Sequence, residues 1–287
     1  MLTVLGVVVV GGAALAVTQL ERSEVLVRER CNATVGADTF ELTPTQAGNA
    51  ALISGIAVQR GLPARAASIA IATAIQESRL ENIDYGDDAG PDSRGLFQQR
   101  PSQGWGTEEQ IMMPAYATGA FYDALVQVPG YEDLPITEAA QTVQRSAFPE
   151  AYADHEPEGR AFASALTGNS PAALDCTLRD PTATGDALAV SAAADEAFGP
   201  LGGTADGTLL RLDVSGDLGW AAAQWAVANA STLHITSVSH SGLEWDRAEG
   251  GWSTVGTESG IVTITVAGAT HPESRAGQAS ILITGST

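Results

Sequence analysis

The stretch AIATAIQESRLEN, residues 70–82, runs from small apolar residues into a single glutamate, Glu77. At helical spacing Glu77 follows Thr73 and Ala74, so its carboxyl group lies on a small, apolar stripe and not on a charged face. Partial burial disfavours the charged form of a carboxyl group and raises its pKa, which suits a general acid. The alternative is that Glu77 turns outward at a fraying helix end.

Two later segments carry side chains that suit a saccharide. SRGLFQQRPSQGWG, residues 93–106, combines paired glutamines with aromatic residues, and VQRSAFPEAY, residues 143–152, adds another amide and a tyrosine. Amides hydrogen-bond sugar hydroxyl and acetamido groups, and aromatic faces stack on sugar rings. The predicted substrate-binding residues are Ser93, Phe97, Gln98, Gln99, Trp105, Gln144 and Tyr152.

These motifs resemble the lysozyme-like fold of lytic transglycosylases and goose-type lysozymes, and in particular an actinobacterial variant with the GLFQQRPSQGWG motif. The resemblance covers residues 45–168. It implies that Glu77 is the catalytic acid and that Ser93 and Gln98 line the sugar cleft. Tyr152 corresponds to the late Ala-Tyr motif of the family, although AYADH stands here in place of Ala-Tyr-Asn-Ala-Gly.

The reaction type depends on whether a second carboxylate takes part. Glycoside hydrolysis usually needs two carboxylates, whereas a lytic transglycosylase uses one acid and the 6-hydroxyl of the sugar itself. The candidates in the loop after Glu77 are Asp84, Asp87, Asp88 and Asp92. Acids in a solvated loop can equally be turn formers, and the resemblance favours transglycosylation.

Helix-start signals recur through the region that contains these motifs. Capping boxes occur at Thr43-Pro44-Thr45-Gln46 and Thr107-Glu108-Glu109-Gln110, and Pro63 and Pro114 open two further helices. We therefore expect residues 31–176 to form an all-α, lysozyme-like domain.

The composition changes after this region. Residues 177–205 are rich in Pro, Thr, Asp and Gly, which predicts a linker with one helical piece. Residues 206–287 alternate apolar and polar positions between glycine turns, which predicts a small antiparallel sheet with one helix and an unknown role. The predicted fold class is thus α+β. We interpret Trp220, Trp225, Trp245 and Trp252 as core residues, with a glycan-binding platform as the alternative.

The N-terminal residues 1–20 form an apolar run that fits either a transmembrane anchor or a signal segment. Arginines follow this run, so its charge pattern leaves the orientation in the membrane open. Cys31 and Cys176 bracket the motif region, and in an exported protein they would form a disulfide; the alternative is two unrelated core thiols. We expect an extracytoplasmic protein, either secreted or bound to the membrane through residues 1–20.

The formal net charge of −20, with arginine as the only strong base, disfavours binding to phosphate backbones, so we expect no nucleic-acid partner. The histidines lack the spacing of metal ligands, and the chain has no GxSxG motif, so we expect neither a metal nor another cofactor. The histidines are His155, His234, His240 and His271.

Two functions fit these features. The first is a peptidoglycan-cleaving enzyme that acts on the β-1,4 bond between N-acetylmuramic acid and N-acetylglucosamine, with Glu77 as its acid. The second is a non-catalytic wall-binding or scaffold protein that keeps a lysozyme-like shape and recruits a protein partner through its C-terminal domain.

Overall fold

The computed structural model describes residues 27–88, 90–145, 150–256 and 260–269. Helices and two antiparallel sheets occur together in these ranges, so the predicted α+β class is confirmed. The apolar run at 1–20, His271 and the part of the predicted C-terminal domain after residue 269 lie outside the described residues. Within the described ranges, none of the helices has the length and apolar content needed to span a bilayer.

The described residues contain eight α-helices, and the first four begin at or next to the predicted starts. Their bounds are α1 Pro44–Gln59, α2 Ala64–Ser78, α3 Glu108–Ile111, α4 Pro114–Leu125, α5 Ile136–Gln144, α6 Glu156–Leu166, α7 Ala187–Phe198 and α8 Gly216–Ala228. Both capping boxes are confirmed, since the hydroxyl groups of Thr43 and Thr107 accept from the backbone N–H groups of Gln46 and Gln110.

α2 is enclosed on several sides because it contacts α1, α4, α5 and α6. All its residues from 66 to 75 are buried. Small side chains allow close helix packing: a Cβ added to Gly159 of α6 would lie only 2.8 Å from the carbonyl oxygen of Ser68. Glu77 therefore lies in the last turn of an almost fully buried helix.

The prediction that residues 31–176 are all-α is wrong. β1 (Arg30–Val35) and β2 (Asp38–Leu42) form a hairpin, and β3 (Leu174–Thr177) pairs with the other edge of β1. The hairpin turns at Gly36, whose φ of 64° favours glycine. The sequences around the two cysteines, CNATV and DCTLR, are typical of short extended segments, and both contribute to strands here. Runs this short give little periodic signal, and β1 finds its second partner far along the chain, so local sequence patterns do not reveal that these segments form a sheet.

The predicted disulfide between Cys31 and Cys176 is present. The two cysteines are paired positions of β1 and β3, and both are fully buried. The bond spans a sequence separation of 145 residues and so fastens together the two ends of the motif-bearing region. In the chain-entropy model a loop of this size contributes about 4–5 kcal/mol by restricting the unfolded chain.

The second sheet has the strand order β4–β5–β9–β6–β7–β8 with antiparallel neighbours. The bounds are β4 Gly203–Asp206, β5 Leu209–Leu212, β6 Ile235–His240, β7 Leu243–Asp246, β8 Trp252–Thr254 and β9 Val262–Val266. α8 packs against β6 and β9, as the sequence predicts for a sheet with one helix. Trp220, Trp225 and Trp245 are buried, which supports their interpretation as core residues; Trp252 is half-buried and contacts the Trp220 ring.

Buried residues of the two predicted domains belong to one continuous hydrophobic cluster. α8 packs against α1 and α6, and α7, which lies within the predicted linker, packs against α1. α1 and α7 approach each other closely, because a Cβ added to Gly55 of α1 would lie 2.8 Å from the Cβ of Ala197 of α7. The domain boundaries at 31–176, 177–205 and 206–287 remain sequence predictions.

Replacing both cysteines, Cys31→Ser with Cys176→Ser, is expected to lower the free energy of unfolding by about 4 kcal/mol because the unfolded chain gains freedom. Denaturant unfolding with and without a thiol reductant measures this change. The reductant should destabilise the wild type and leave the double variant unaffected. Equal stability of the oxidised wild type and the double variant would contradict the assigned role of the bond.

Candidate active site

α2 ends in an abrupt turn made by Arg79 and Leu80, both with a φ of 58°. Residues other than glycine adopt this left-handed conformation at a cost in energy. Two amides of α1 stabilise the turn: the side chain of Gln46 donates to the carbonyl of Arg79 at 2.8 Å, and that of Asn49 donates to the carbonyl of Leu80 at 2.7 Å. The turn fixes the position at which the chain leaves the helix, after Ser78, the residue that follows Glu77.

Ser78 connects the end of α2 to the loop at 93–106. Its hydroxyl group donates to the carbonyl of Leu96 at 2.7 Å. The next residue, Phe97, was expected to face substrate, but this expectation is wrong: Phe97 is fully buried and stacks on Phe121 with ring centroids 4.6 Å apart. An apolar side chain next to this anchored carbonyl packs into the core and holds the loop against the helix.

A cleft of about 670 Å³ lies beside Glu77. Most predicted substrate-binding residues line it, namely Ser93, Gln98, Trp105, Gln144 and Tyr152. Gln99 does not: it is 2% exposed, and its side-chain amide donates to the carbonyl of Ala117 at 3.0 Å. The two consecutive glutamines thus have different roles, because Gln98 lines the cleft and Gln99 ties the loop to α4.

The Glu77 carboxyl group is held by two neighbours that come from a different part of the chain. The hydroxyl group of Tyr152 donates to Glu77 Oε1 at 2.6 Å, and the side chain of Gln144 forms a further hydrogen bond to the carboxyl group. Gln144 also donates from Nε2 to the carbonyl of Phe97 at 2.8 Å, which fixes its own orientation. The carboxyl group therefore faces the cleft in a defined position.

Burial raises the pKa of Glu77 above its ordinary value. The hydrogen bonds from Tyr152 and Gln144 and the positive charge of Arg100 favour the ionised form and act in the opposite direction, while the negative charge of Asp87 acts with burial. The net direction is upward because loss of water is the largest effect. Glu77 thus keeps its proton to a higher pH than an exposed glutamate does.

Comparison with known proteins adds no further identification. No protein-family model matches the chain. No curated protein matches it either. The lysozyme-like resemblance stays a hypothesis that rests on the motifs around Glu77. The functional inference below is based on the geometry of the cleft.

The candidate second carboxylates differ in their position relative to the cleft. Asp87 lines the cleft and acts electrostatically on Glu77. Asp84 is exposed and is not among the residues that line the cleft. Asp92 accepts a hydrogen bond from the backbone N–H of Ser102 at 3.1 Å and so links two parts of the loop that are ten residues apart in sequence. Asp88 is exposed and also lies outside the cleft lining. Asp87 is therefore the one of the four predicted candidates that both lines the cleft and acts electrostatically on Glu77.

Several cleft residues were missed by the sequence analysis. They are Gln76, Ile83, Tyr85, Gln103, Arg100 and Arg145. Gln76 adjoins the acid, and its Oε1 lies 3.0 Å from Nε2 of His155. Arg100 and Arg145 belong to the two motifs that predicted the cleft, so their place in the sequence could have identified them as cleft residues. In the described ranges, no group of three or more His, Cys, Asp or Glu side chains is arranged to hold a metal ion.

The raised pKa of Glu77 makes the stability of the protein depend on pH. The folded protein binds a proton at Glu77 that the unfolded chain has released, so its free energy of unfolding falls as the pH rises from the ordinary to the raised pKa. Glu77→Gln does not titrate. Its free energy of unfolding, relative to that of the wild type, should therefore increase across this interval by about 1.4 kcal/mol for each unit of pKa shift.

Chemical denaturation from pH 4 to pH 8 measures this difference. Glu81→Gln, at an exposed position outside the cleft, is the control for loss of one carboxylate from an acidic chain. A stability difference between Glu77→Gln and the wild type that stays constant with pH would show that Glu77 is not effectively desolvated.

Proposed function

We propose that this protein is a peptidoglycan-cleaving muramidase of the lytic transglycosylase type, which acts on the β-1,4 bond between N-acetylmuramic acid and N-acetylglucosamine. The observation that carries this proposal is the Glu77 carboxyl group, which is mostly buried, has a raised pKa and still opens onto a 670 Å³ cleft. A protonated carboxyl group in such a place can deliver its proton to a leaving oxygen.

The proposed reaction needs a single acid that also serves as a base. Glu77 donates its proton to the glycosidic oxygen as the bond from that oxygen to the anomeric carbon of N-acetylmuramic acid breaks. The resulting carboxylate accepts the proton of the 6-hydroxyl group of the same sugar while its oxygen bonds to the anomeric carbon. The products are a free 4-hydroxyl end and a 1,6-anhydro sugar, and Glu77 is protonated again without the consumption of water.

The surroundings of Glu77 support each half of this cycle. Burial favours the protonated form that begins the reaction, and the hydrogen bonds from Tyr152 and Gln144 stabilise the carboxylate that forms during it. Gln98 and Trp105 line the same cleft and supply an amide and an aromatic face for the sugar.

The proposal extends to the lysozyme-like identity of the region 31–176 and to an extracytoplasmic location, with residues 1–20 as anchor or signal. The buried disulfide supports this location, because such bonds persist mainly in oxidising compartments. Peptidoglycan glycan strands are the proposed substrate, and a protein partner of the C-terminal region remains part of the proposal.

Glu77→Gln should abolish cleavage, because an amide of nearly the same shape has no proton to give. We expect at least about a hundredfold loss of muropeptide release from purified peptidoglycan, with Glu81→Gln retaining the wild-type rate. Mass spectrometry of the wild-type products should show 1,6-anhydro ends. Equal release by the wild type and Glu77→Gln, or release by neither, would instead favour a non-catalytic wall-binding scaffold.

Asp87→Asn distinguishes transglycosylation from hydrolysis. Its Oδ1 accepts from the backbone N–H of Gly90 at 2.8 Å, and asparagine can keep this bond. Because the negative charge of Asp87 raises the pKa of Glu77, the variant should remain active while the alkaline limb of its pH–rate profile moves to lower pH. Initial rates across the pH range measure this shift. A loss of activity as complete as that of Glu77→Gln would identify Asp87 as the second carboxylate of a hydrolase.

A further inference from the structure

Two arginines of the cleft form no ion pair with the described residues, although the chain as a whole is strongly acidic. Seven arginines in the described residues form ion pairs with Asp or Glu: Arg28, Arg30, Arg60, Arg65, Arg94, Arg160 and Arg179. Arg100 and Arg145 both line the cleft, and among the described residues neither has a carboxylate within ion-pair distance. With a formal net charge of −20, carboxylates are abundant, so this arrangement leaves positive charge available at the cleft.

Arg100 is held in place by contacts with uncharged groups, while its positive charge acts on the carboxyl groups of Glu77 and Asp92 from beyond ion-pair distance. Its Nε donates to the hydroxyl group of Ser93 at 3.0 Å. Its guanidinium group also packs closely on the backbone at Gly90, where a Cβ would collide with it. In the described part of the chain its terminal Nη atoms donate no hydrogen bond to the protein, and its positive charge reaches Glu77 across the cleft.

Arg145 lies at the C-terminal end of α5, directly after Gln144, which binds the Glu77 carboxyl group. Its backbone φ of 53° is left-handed, and its side chain is exposed where it lines the cleft. The next four residues, Ser-Ala-Phe-Pro at 146–149, carry no charge. The positive charge of Arg145 therefore lies next to Gln144, the residue that helps to orient the carboxyl group of Glu77.

A guanidinium group binds a carboxylate through parallel charge-assisted hydrogen bonds, which are stronger than neutral ones. The acidic side chain of Asp87 lines the same cleft and disfavours anions near it, so an anionic ligand is directed towards the two arginines. We infer that Arg100 and Arg145 bind a carboxylate carried by the glycan substrate, next to the bond that Glu77 protonates. This inference rests on the proposed function.

The inferred contact makes the cleft selective for muramyl glycans over neutral chitin. N-acetylmuramic acid carries a lactyl group that ends in a carboxylate when the stem peptide has been removed, and in an amide when the peptide is present; the stem peptide brings carboxylates of its own. A chitin oligomer has the same backbone linkage but no carboxylate. Selectivity would then come from charge at the cleft, in addition to sugar stacking and amide hydrogen bonds.

Binding to the Glu77→Gln variant tests this inference without cleavage of the ligand. The ligands are a chitin oligomer, a stem-free GlcNAc–MurNAc oligomer of equal length, its lactyl methyl ester, and the same oligomer with stem peptides. Calorimetry at low and at physiological salt should show about tenfold tighter binding of the free acid than of the methyl ester, and this ratio should fall as salt is added. Tighter binding of the stem-bearing oligomer than of the free acid would place the bound carboxylate on the peptide.

Arg100→Gln and Arg145→Gln, each combined with Glu77→Gln, should remove most of the preference for the charged ligand and leave chitin binding unchanged. Arg100→Lys should retain part of the preference, because the charge stays. Arg211→Gln is the matched control, since Arg211 is exposed on β5, away from the cleft, and forms no ion pair with the described residues.

Two results would overturn the inference in distinguishable ways. Equal affinity of the free acid, the methyl ester and chitin, with active cleavage by the wild type, would refute carboxylate recognition and leave the proposed function standing. Failure to bind any of the glycans, together with an inactive wild type, would refute both.

Discussion

The site depends on the loss of water around one carboxyl group at the end of a buried helix. α2 is enclosed by four other helices, and small residues such as Ala72 and Gly159 let these helices approach closely. A carboxylate emerging from such surroundings pays a desolvation penalty, and the pKa of Glu77 rises in response. The packing that stabilises the fold is therefore also what keeps the acid protonated.

Interactions that favour the ionised form limit the rise in the pKa of Glu77. Tyr152 and Gln144 donate hydrogen bonds that favour the ionised form, and Arg100 adds a positive charge, so Glu77 can also hold the negative charge that follows proton transfer. A carboxyl group that was only buried would give up its proton poorly, and one that was only hydrogen-bonded would be ionised beforehand. The left-handed turn after Glu77 and the hydroxyl bond of Ser78 fix the geometry in which these interactions balance.

Local patterns were sufficient for features whose causes are local. The capping boxes, the apolar stripe around Glu77 and the alternation of β9 each act within a few residues, and the sequence predicts them correctly. The first sheet was missed because its strands are short and because β3, which pairs with β1, is distant in sequence. Phe97 and Gln99 were assigned to the cleft because their residue types suit a sugar; burial of each in the core depends on Phe121 and Ala117, which no local pattern predicts. The role of the two cleft arginines could not be predicted, because only the three-dimensional structure shows which arginines form ion pairs among the described residues.

The most direct test of this account is a titration of the Glu77 carboxyl carbon by nuclear magnetic resonance. Protein labelled with ¹³C at glutamate carboxyl groups would be titrated from acid to alkaline pH, and the Glu77 signal would be assigned as the one absent from Glu77→Gln. The account predicts a midpoint above the ordinary glutamate value of about 4.3. A midpoint at or below that value would mean that the cleft carboxyl group is ionised before any substrate arrives, which would contradict its role as the acid.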